Sequence, residues 1–393
     1  MEKTWRWFGK NDPITLSMLR QIGVEGIVTA LHDVPNGEIW TYEHIVDLKQ
    51  FIEAAGLRWS VVESLPVSEA IKYAGKERDR LIDNYIVSLE NLGRAGVKTI
   101  CYNFMPVLDW ARTDLEKPNA DGTSNLFFDK AQFAYFDGHI LKREGAENDY
   151  DAETLERAEQ LARTMTKEDD DKLVENIIIR TQGFVNGNIQ EGELHPVEKF
   201  RNLLRLYDGI DSDKLRANMK YFLEAIMPVC DKYDINMCVH PDDPPMAILG
   251  LPRIVKCDED IAWFLKAVDN PHNGFTFCAG SLSSGLQNDV PALARKYADR
   301  TWFVHLRSTQ VQPDGNFKEA SHLGGRANVI ELVRIFERQH PGLPMRVDHA
   351  ALMLGDEKRG YNAGYSFHGR MLALGQVEGV LATVHREMEE GLI

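Results

Sequence analysis

Eight short, apolar runs recur along the chain, and most are followed by a stretch of helical periodicity. The runs are residues 5–8, 26–31, 59–63, 99–104, 235–240, 274–278, 301–305 and 344–349. They are near-continuously apolar, which marks strands buried on both faces. Between them, Leu16, Leu19 and Ile22 share one helical face. So do Ile45, Leu48 and Ile52 within 41–55, and Ile82, Ile86 and Leu89 within 80–95. Asp12-Pro13 predicts the start of the first helix, and Gly23, Gly56 and Gly96 supply helix stops. A later helix capped by Ser212 carries the stripe Leu215, Met219, Phe222, Leu223 and Ile226; others are predicted from Asp258 to 268, over 290–297, 329–336 and 367–390. Strict alternation of this kind specifies a parallel sheet covered by helices. Eight repeats favour the closed (β/α)8 TIM barrel, an α/β fold. The rival, an open doubly wound sheet, lacks its marks: no Gly-x-Gly-x-x-Gly follows the first run and no phosphate-binding loop ends in Gly-Lys-Ser/Thr.

The rhythm breaks once. Residues 105–211 contain no good strand pattern, only charged stretches of helical composition such as 152–163 and 168–179, and a Gly/Asn-rich segment, 182–190, between helices. The chain is therefore read as a single TIM-barrel domain, 1–393, with a long helical insertion after strand 4 over 105–211. An insertion of that length serves as a lid, as an oligomer contact, or as plain helical decoration.

Charge removes one class of partner. With 60 acidic against 45 basic residues and a formal net charge of -15, the surface is unsuited to neutralising nucleic-acid phosphates. A local basic pocket for a small anion is compatible with that balance. No apolar run reaches 18 residues, so no membrane span is expected. The start, Met-Glu-Lys-Thr-Trp-Arg-Trp, has no apolar signal core, and a cytoplasmic location is expected. The five cysteines (101, 230, 238, 257, 278) form no Cys-x-x-Cys and read as reduced thiols, one of them functional.

The candidate chemistry lies at strand ends. Four consecutive runs finish on residues able to hold a metal: His240, Cys278, His305 and Asp348. In a barrel, strand C-termini face the active site. Each residue alone has a plainer reading: a core imidazole, a small buried thiol, a helix cap. Four in succession point to one mononuclear metal site. Two imidazoles, a thiolate and a carboxylate suit Zn, Fe, Co or Mn. A structural zinc site would use more than one Cys at close spacing, so an open catalytic site is favoured. His349 adjoins Asp348 and either reaches the barrel mouth or supports it. Arg307, two residues beyond His305, suits a bidentate clamp on a substrate carboxylate or a structural ion pair. Tyr365, in the loop after the last strand, is a phenolic acid or base or, on spacing alone, a packed aromatic. Asp242 and Asp243 read most simply as turn residues.

At these residues the chain resembles mannonate dehydratase, a metal-dependent lyase family with a xylose-isomerase-like barrel. The resemblance runs through Trp-Arg-Trp-Phe-Gly at 5–9, Trp-Ser-Val-Val-Glu-Ser at 59–64 and Cys-Tyr-Asn-Phe-Met-Pro-Val-Leu-Asp-Trp at 101–110. It continues in His-Ile-Leu-Lys-Arg at 139–143, His-Pro-Asp-Asp-Pro-Pro at 240–245, Leu-Gly-Leu-Pro-Arg-Ile-Val at 249–255 and His-Leu-Arg-Ser-Thr at 305–309. It implies one Mn2+ or Fe2+ ion per subunit, held at the positions of His240, Cys278, His305 and Asp348. It implies acid/base roles for His349 and Tyr365, a homodimer or larger homo-oligomer, and conversion of D-mannonate to 2-dehydro-3-deoxy-D-gluconate in hexuronate catabolism. The chain departs from the family pattern at Val347 and Ala350, where Pro and Gly are usual, and near Arg326, where an acid is usual. The alternatives are a metal-dependent sugar isomerase or epimerase on the same barrel, an endonuclease-like barrel disfavoured by charge, and a non-catalytic sensor that would have lost these residues.

Overall fold

The computed structural model describes residues 1–182, 189 and 192–393. Twelve strands are present among them: β1 Glu2–Arg6, β2 Gly26–Thr29, β3 Arg58–Glu63, β4 Thr99–Tyr102, β5 Asp114–Pro118, β6 Ser124–Phe128, β7 Asn236–Val239, β8 Asn273–Cys278, β9 Thr301–Leu306, β10 Ser308–Val311, β11 Phe317–Ala320 and β12 Pro344–Val347. Eight of them close into a parallel barrel in the order β1-β12-β9-β8-β7-β4-β3-β2. Each of the eight apolar runs supplies one barrel strand. The first lies slightly earlier than its pattern predicts, so Trp7 and Phe8 fall beyond its end.

Helices on the outside bury the stripes read from sequence. Ile45, Leu48 and Ile52 are the buried residues of Tyr42–Ala54, and Leu215, Met219, Phe222, Leu223 and Ile226 are among those of Ser212–Tyr233. Gly56 and Gly96 take positive φ of 76° and 78° directly after their helices, a conformation costly for any residue with a Cβ. The caps differ from expectation. Thr15, not Asp12, caps Leu16–Gln21, while Asp12 accepts from the Phe8 and Ile14 amides at 2.8 and 2.9 Å. Asp211, not Ser212, caps the long helix, and Cys257 holds the cap position expected of Asp258. Within the barrel, Val28, Val61, Cys101, Cys238 and Phe303 fill one apolar layer. All five cysteines are free, and only Cys257 is not fully buried.

The insertion is not purely helical. It contributes β5 and β6, which join β11 and β10, a hairpin following β9, in an antiparallel sheet of order β10-β11-β6-β5. β5 escaped the pattern for a physical reason. Asp114-Leu-Glu-Lys-Pro118 buries only Leu115, so an edge strand of this kind carries no apolar signal. The expected helices are present as Ala152–Ala162 and Lys167–Val174, the latter running on into a wider turn at Glu175–Arg180. Most of the Gly/Asn-rich segment at 182–190 lies outside the described residues. The insertion has its own core, including Phe128, Phe133, Phe136, Ile177, Phe200 and Phe317. Among the described residues no helix is long and apolar enough to cross a membrane.

Strand β8 passes β9 closely at Gly274, where an added Cβ would stand 2.1 Å from Trp302 Cδ1 and 2.7 Å from the Arg300 carbonyl oxygen. The backbone atom cannot swing away. Gly274→Ala is therefore expected to destabilise the barrel by about 1–3 kcal/mol, read as a lowered Tm in thermal melts; an unchanged Tm would show that β8 and β9 can part without cost.

Candidate active site

Parallel pairing sets Cys278 directly beside His305, and His305 beside Arg346. His240 follows β7, its amide bonded to the Tyr102 carbonyl of β4 at 2.9 Å. The outcome is a cluster in which one ligand atom from each of His240, Cys278 and His305 lies within 4.8 Å of the other two. Asp348 adjoins this trio without belonging to it by that measure. Its Oδ2 is 3.7 Å from Cys278 Sγ and 4.0 Å from His305 Nδ1, while Arg346 donates to its Oδ1 at 2.5 Å.

The surroundings fit a cation. His240 Nδ1 stands 2.7 Å from the Pro241 carbonyl oxygen, which assigns the proton to Nδ1 and leaves Nε2 as a lone-pair donor. His305 is fully buried, and its Nε2 makes no hydrogen bond. Cys278 Sγ accepts from Ser281 Oγ at 3.1 Å and from Arg307 Nη2 at 3.6 Å. Two imidazoles, a sulfur and an adjacent carboxylate are a donor set suited to a borderline divalent transition metal.

A small cavity opens beside the cluster, lined by Arg6, Glu63, Asn103, Asp109, Trp110, His240, Asp243, Arg307, Arg346, Asp348, His349 and Tyr365. His349 and Tyr365 meet edge to face with ring centroids 5.0 Å apart, and Trp110 lies 4.7 Å from the His349 ring. His349 Nδ1 is engaged from behind, 2.8 Å from Glu319 Oε1 and 2.6 Å from Arg307 Nη1. Burial pushes the Tyr365 phenol well above its ordinary range, with Asp348 and Glu63 adding to the shift and Arg346 opposing it.

Behind the wall runs a buried ionic lattice. Arg112 binds Asp243 at 2.7 Å and Glu319 at 2.9 Å; Arg307 binds the same two acids at 2.5 and 3.0 Å. Arg346 binds Glu63 at 2.9 Å as well as Asp348. Burial alone would raise the carboxyl pKa values, yet the facing guanidinium groups hold Asp243, Glu63 and Asp348 well below the usual range. Asp109 lacks such a partner set, and burial pushes its carboxyl up.

Two sequence readings gain detail here. Asp242 and Asp243 lie in the irregular segment after β7 and do more than turn the chain: both are buried, Asp242 accepting from the Val255 amide at 2.7 Å and Asp243 pairing with two arginines. Arg307 lines the cavity, is 1% exposed, and its Nη1 and Nη2 already donate to Asp243, Glu319 and Ser281, which favours the ion-pair reading over the substrate clamp. Glu319 was missed. Its signal was the Asp314-Gly315 pair between two short runs, a hairpin mark whose alternation sets Phe317 and Glu319 on the buried face. Arg6, Glu63 and Arg346 were legible as strand-end residues by the same rule that picked out His240. Asp109 and Trp110 reach the site only through the insertion.

Fold and cluster together define a class: a barrel enzyme whose metal-competent side chains share the strand C-terminal rim with a contacting histidine–tyrosine pair. Similarity at the level of fold alone extends to a D-psicose 3-epimerase from Clostridium cellulolyticum H10 solved with D-tagatose, at TM-score 0.50 and 10% identity over 97% of this chain and 99% of that one. The family is more specific. The model for D-mannonate dehydratase (UxuA) matches residues 1–390, and the chain belongs to that family. It is 45% identical over 390 residues to a mannonate dehydratase of Marinomonas sp. (strain MWYL1), covering 97% of this chain and 98% of the relative. Identity to the mannonate dehydratase of Chromohalobacter salexigens is 42% over 389 residues, covering 97% and 98%. The crystal structure of mannonate dehydratase from Streptococcus suis serotype2 superposes with TM-score 0.79 at 32% identity, over 99% of this chain and 96% of that one.

If the sulfur is a ligand, Cys278→Ala should weaken binding of Mn2+ or Fe2+ by more than about tenfold, measured as metal per chain against a competing chelator. Full retention would remove Cys278 from the ligand set.

Proposed function

We propose that this chain dehydrates D-mannonate to 2-dehydro-3-deoxy-D-gluconate, with His349 as base, Tyr365 as acid, and one Mn2+ or Fe2+ ion held by His240, Cys278, His305 and Asp348. The observation that carries it is the meeting of the three mutually close ligand atoms with the His349–Tyr365 pair in one cavity. A divalent cation bound there supplies Lewis-acid stabilisation of the negative charge that builds next to the substrate carboxylate.

The protein's own groups account for the proton movements. With Nδ1 donating to Glu319 Oε1, Nε2 is the His349 nitrogen left for substrate. It takes the C2 proton, and Glu319 stabilises the imidazolium that forms. Tyr365, kept protonated by burial, gives its proton to the C3 oxygen, which leaves as water. The enol left behind tautomerises to the 2-keto-3-deoxy acid. The cavity among these side chains is small, with about 30 Å³ open to the centre of a water-sized sphere. Asp109 and Trp110 bring the insertion into the cavity wall, so in this reading the insertion covers the site. A cytoplasmic homo-oligomer belongs to the same proposal, and light scattering tests the assembly.

Tyr365→Phe and His349→Asn are each expected to lower kcat by about 10²–10⁴-fold with bound metal unchanged, measured by appearance of 2-keto-3-deoxy acid. Full activity in either variant would strike that residue from the mechanism. Chelation under reducing, anaerobic conditions should abolish turnover, and Mn2+ or Fe2+ should restore it. Unimpaired turnover by the metal-free protein would sink the metal's role, and no product from D-mannonate in the metal-loaded protein would sink the reaction.

A further inference from the structure

Arg112, Arg307 and Arg346 are neutralised within the protein by Asp243, Glu319, Glu63 and Asp348. Arg6 is different. It closes β1, lines the same cavity and is 6% exposed. Among the described residues its guanidinium forms no ion pair and no hydrogen bond, and Nη1 is buried without a partner. Its nearest aromatic contact is Phe8, with the ring centroid 5.0 Å from the guanidinium carbon. Glu63 acts on it electrostatically, but both Glu63 oxygens accept from Arg346, at 3.0 and 2.9 Å. Arg6 is also fixed in place. β1 is paired on both sides, and Arg370 Nη1 donates to the Arg6 carbonyl oxygen at 3.0 Å.

A buried guanidinium without a counter-anion is expensive. A barrel that keeps one at its reactive rim has a vacant place for an anion. The planar fork matches a carboxylate bidentately. We propose that Arg6, and not Arg307, binds the carboxylate of the acid-sugar substrate. This rests on the dehydratase reading and adds the residue that distinguishes a sugar acid from a neutral sugar. Negative charge moves toward C1 as the C2 proton leaves, so a cation at the carboxylate acts in the transition state as well as in binding.

The test uses the full-length, metal-loaded protein. For Arg6→Gln, KM for D-mannonate is expected to rise by more than about tenfold, kcat to fall, and bound metal to stay unchanged. Calorimetric binding of D-gluconate against D-glucitol gives a readout that needs no turnover. Wild type should prefer the acid, Arg6→Gln should lose that preference with affinity for the polyol unchanged, and Arg6→Lys should fall between. If Arg6→Gln does not fold, the wild-type-to-Lys comparison carries the test. An undiminished acid preference in the variants, or an equal loss for acid and polyol, overturns the proposal. If wild type binds sugar acids through Arg6 yet does not dehydrate D-mannonate, the dehydratase reading fails and the carboxylate assignment stands.

Discussion

Arg307 sits where three parts of the molecule meet. Its guanidinium joins Asp243 from the loop after β7, Glu319 from the hairpin after β9 and Asp348 at the end of β12, all buried. Arg112 from the insertion grips two of the same acids. Separating charges in such a lattice leaves an uncompensated ion in a low-dielectric interior, which costs several kcal/mol per ion. That penalty fixes the rim: insertion, hairpin and barrel hold one arrangement because any slip strands a charge.

The lattice also sets the reactive groups. Glu319 Oε1 lies 2.8 Å from His349 Nδ1 and accepts its hydrogen bond, so the imidazole cannot rotate without losing that bond. Arg307 and Ser281 donate to Cys278 Sγ, and Arg346 bridges Glu63 to Asp348. Cys278, Asp348 and His349 are thus each held by another polar or charged side chain. Gly280 shows how tight the fit is, since an added Cβ there would stand 1.7 Å from Arg307 Nε.

The departures from the family pattern fall outside this machinery. Val347, Ala350 and Arg326 are absent from the cavity lining among the described residues. Ala350 donates its amide to the Gly364 carbonyl at 3.0 Å, and Arg326 donates to the carbonyls of Ser283 and Gly285 at 2.7 and 3.1 Å. They shape the loops around the rim and leave the ligand and acid–base positions in place. Epimerase-type barrels share the architecture; a sugar acid brings a carboxylate, and the cation proposed for it is Arg6.

Sequence alone determined the barrel, because period and apolarity are local properties: eight runs buried on both faces and separated by amphipathic helices have few other ways to pack. It also picked out His240, Cys278, His305 and Asp348, because in a parallel barrel a strand's last residue has a known location before any coordinates exist. It did not determine which charges pair. Arg6 and Arg307 look alike in sequence, each a guanidinium at or just beyond a strand end; only the fold shows Arg307 ion-paired to several acids and Arg6 with no ion pair among the described residues, its Nη1 buried without a hydrogen-bond partner. The strands of the insertion and Glu319 were hidden for a related reason. β6 and Glu319 are held by partners about two hundred residues away, as Phe128 pairs with Phe317 and Arg112 with Glu319, and no local pattern records a contact made across that distance.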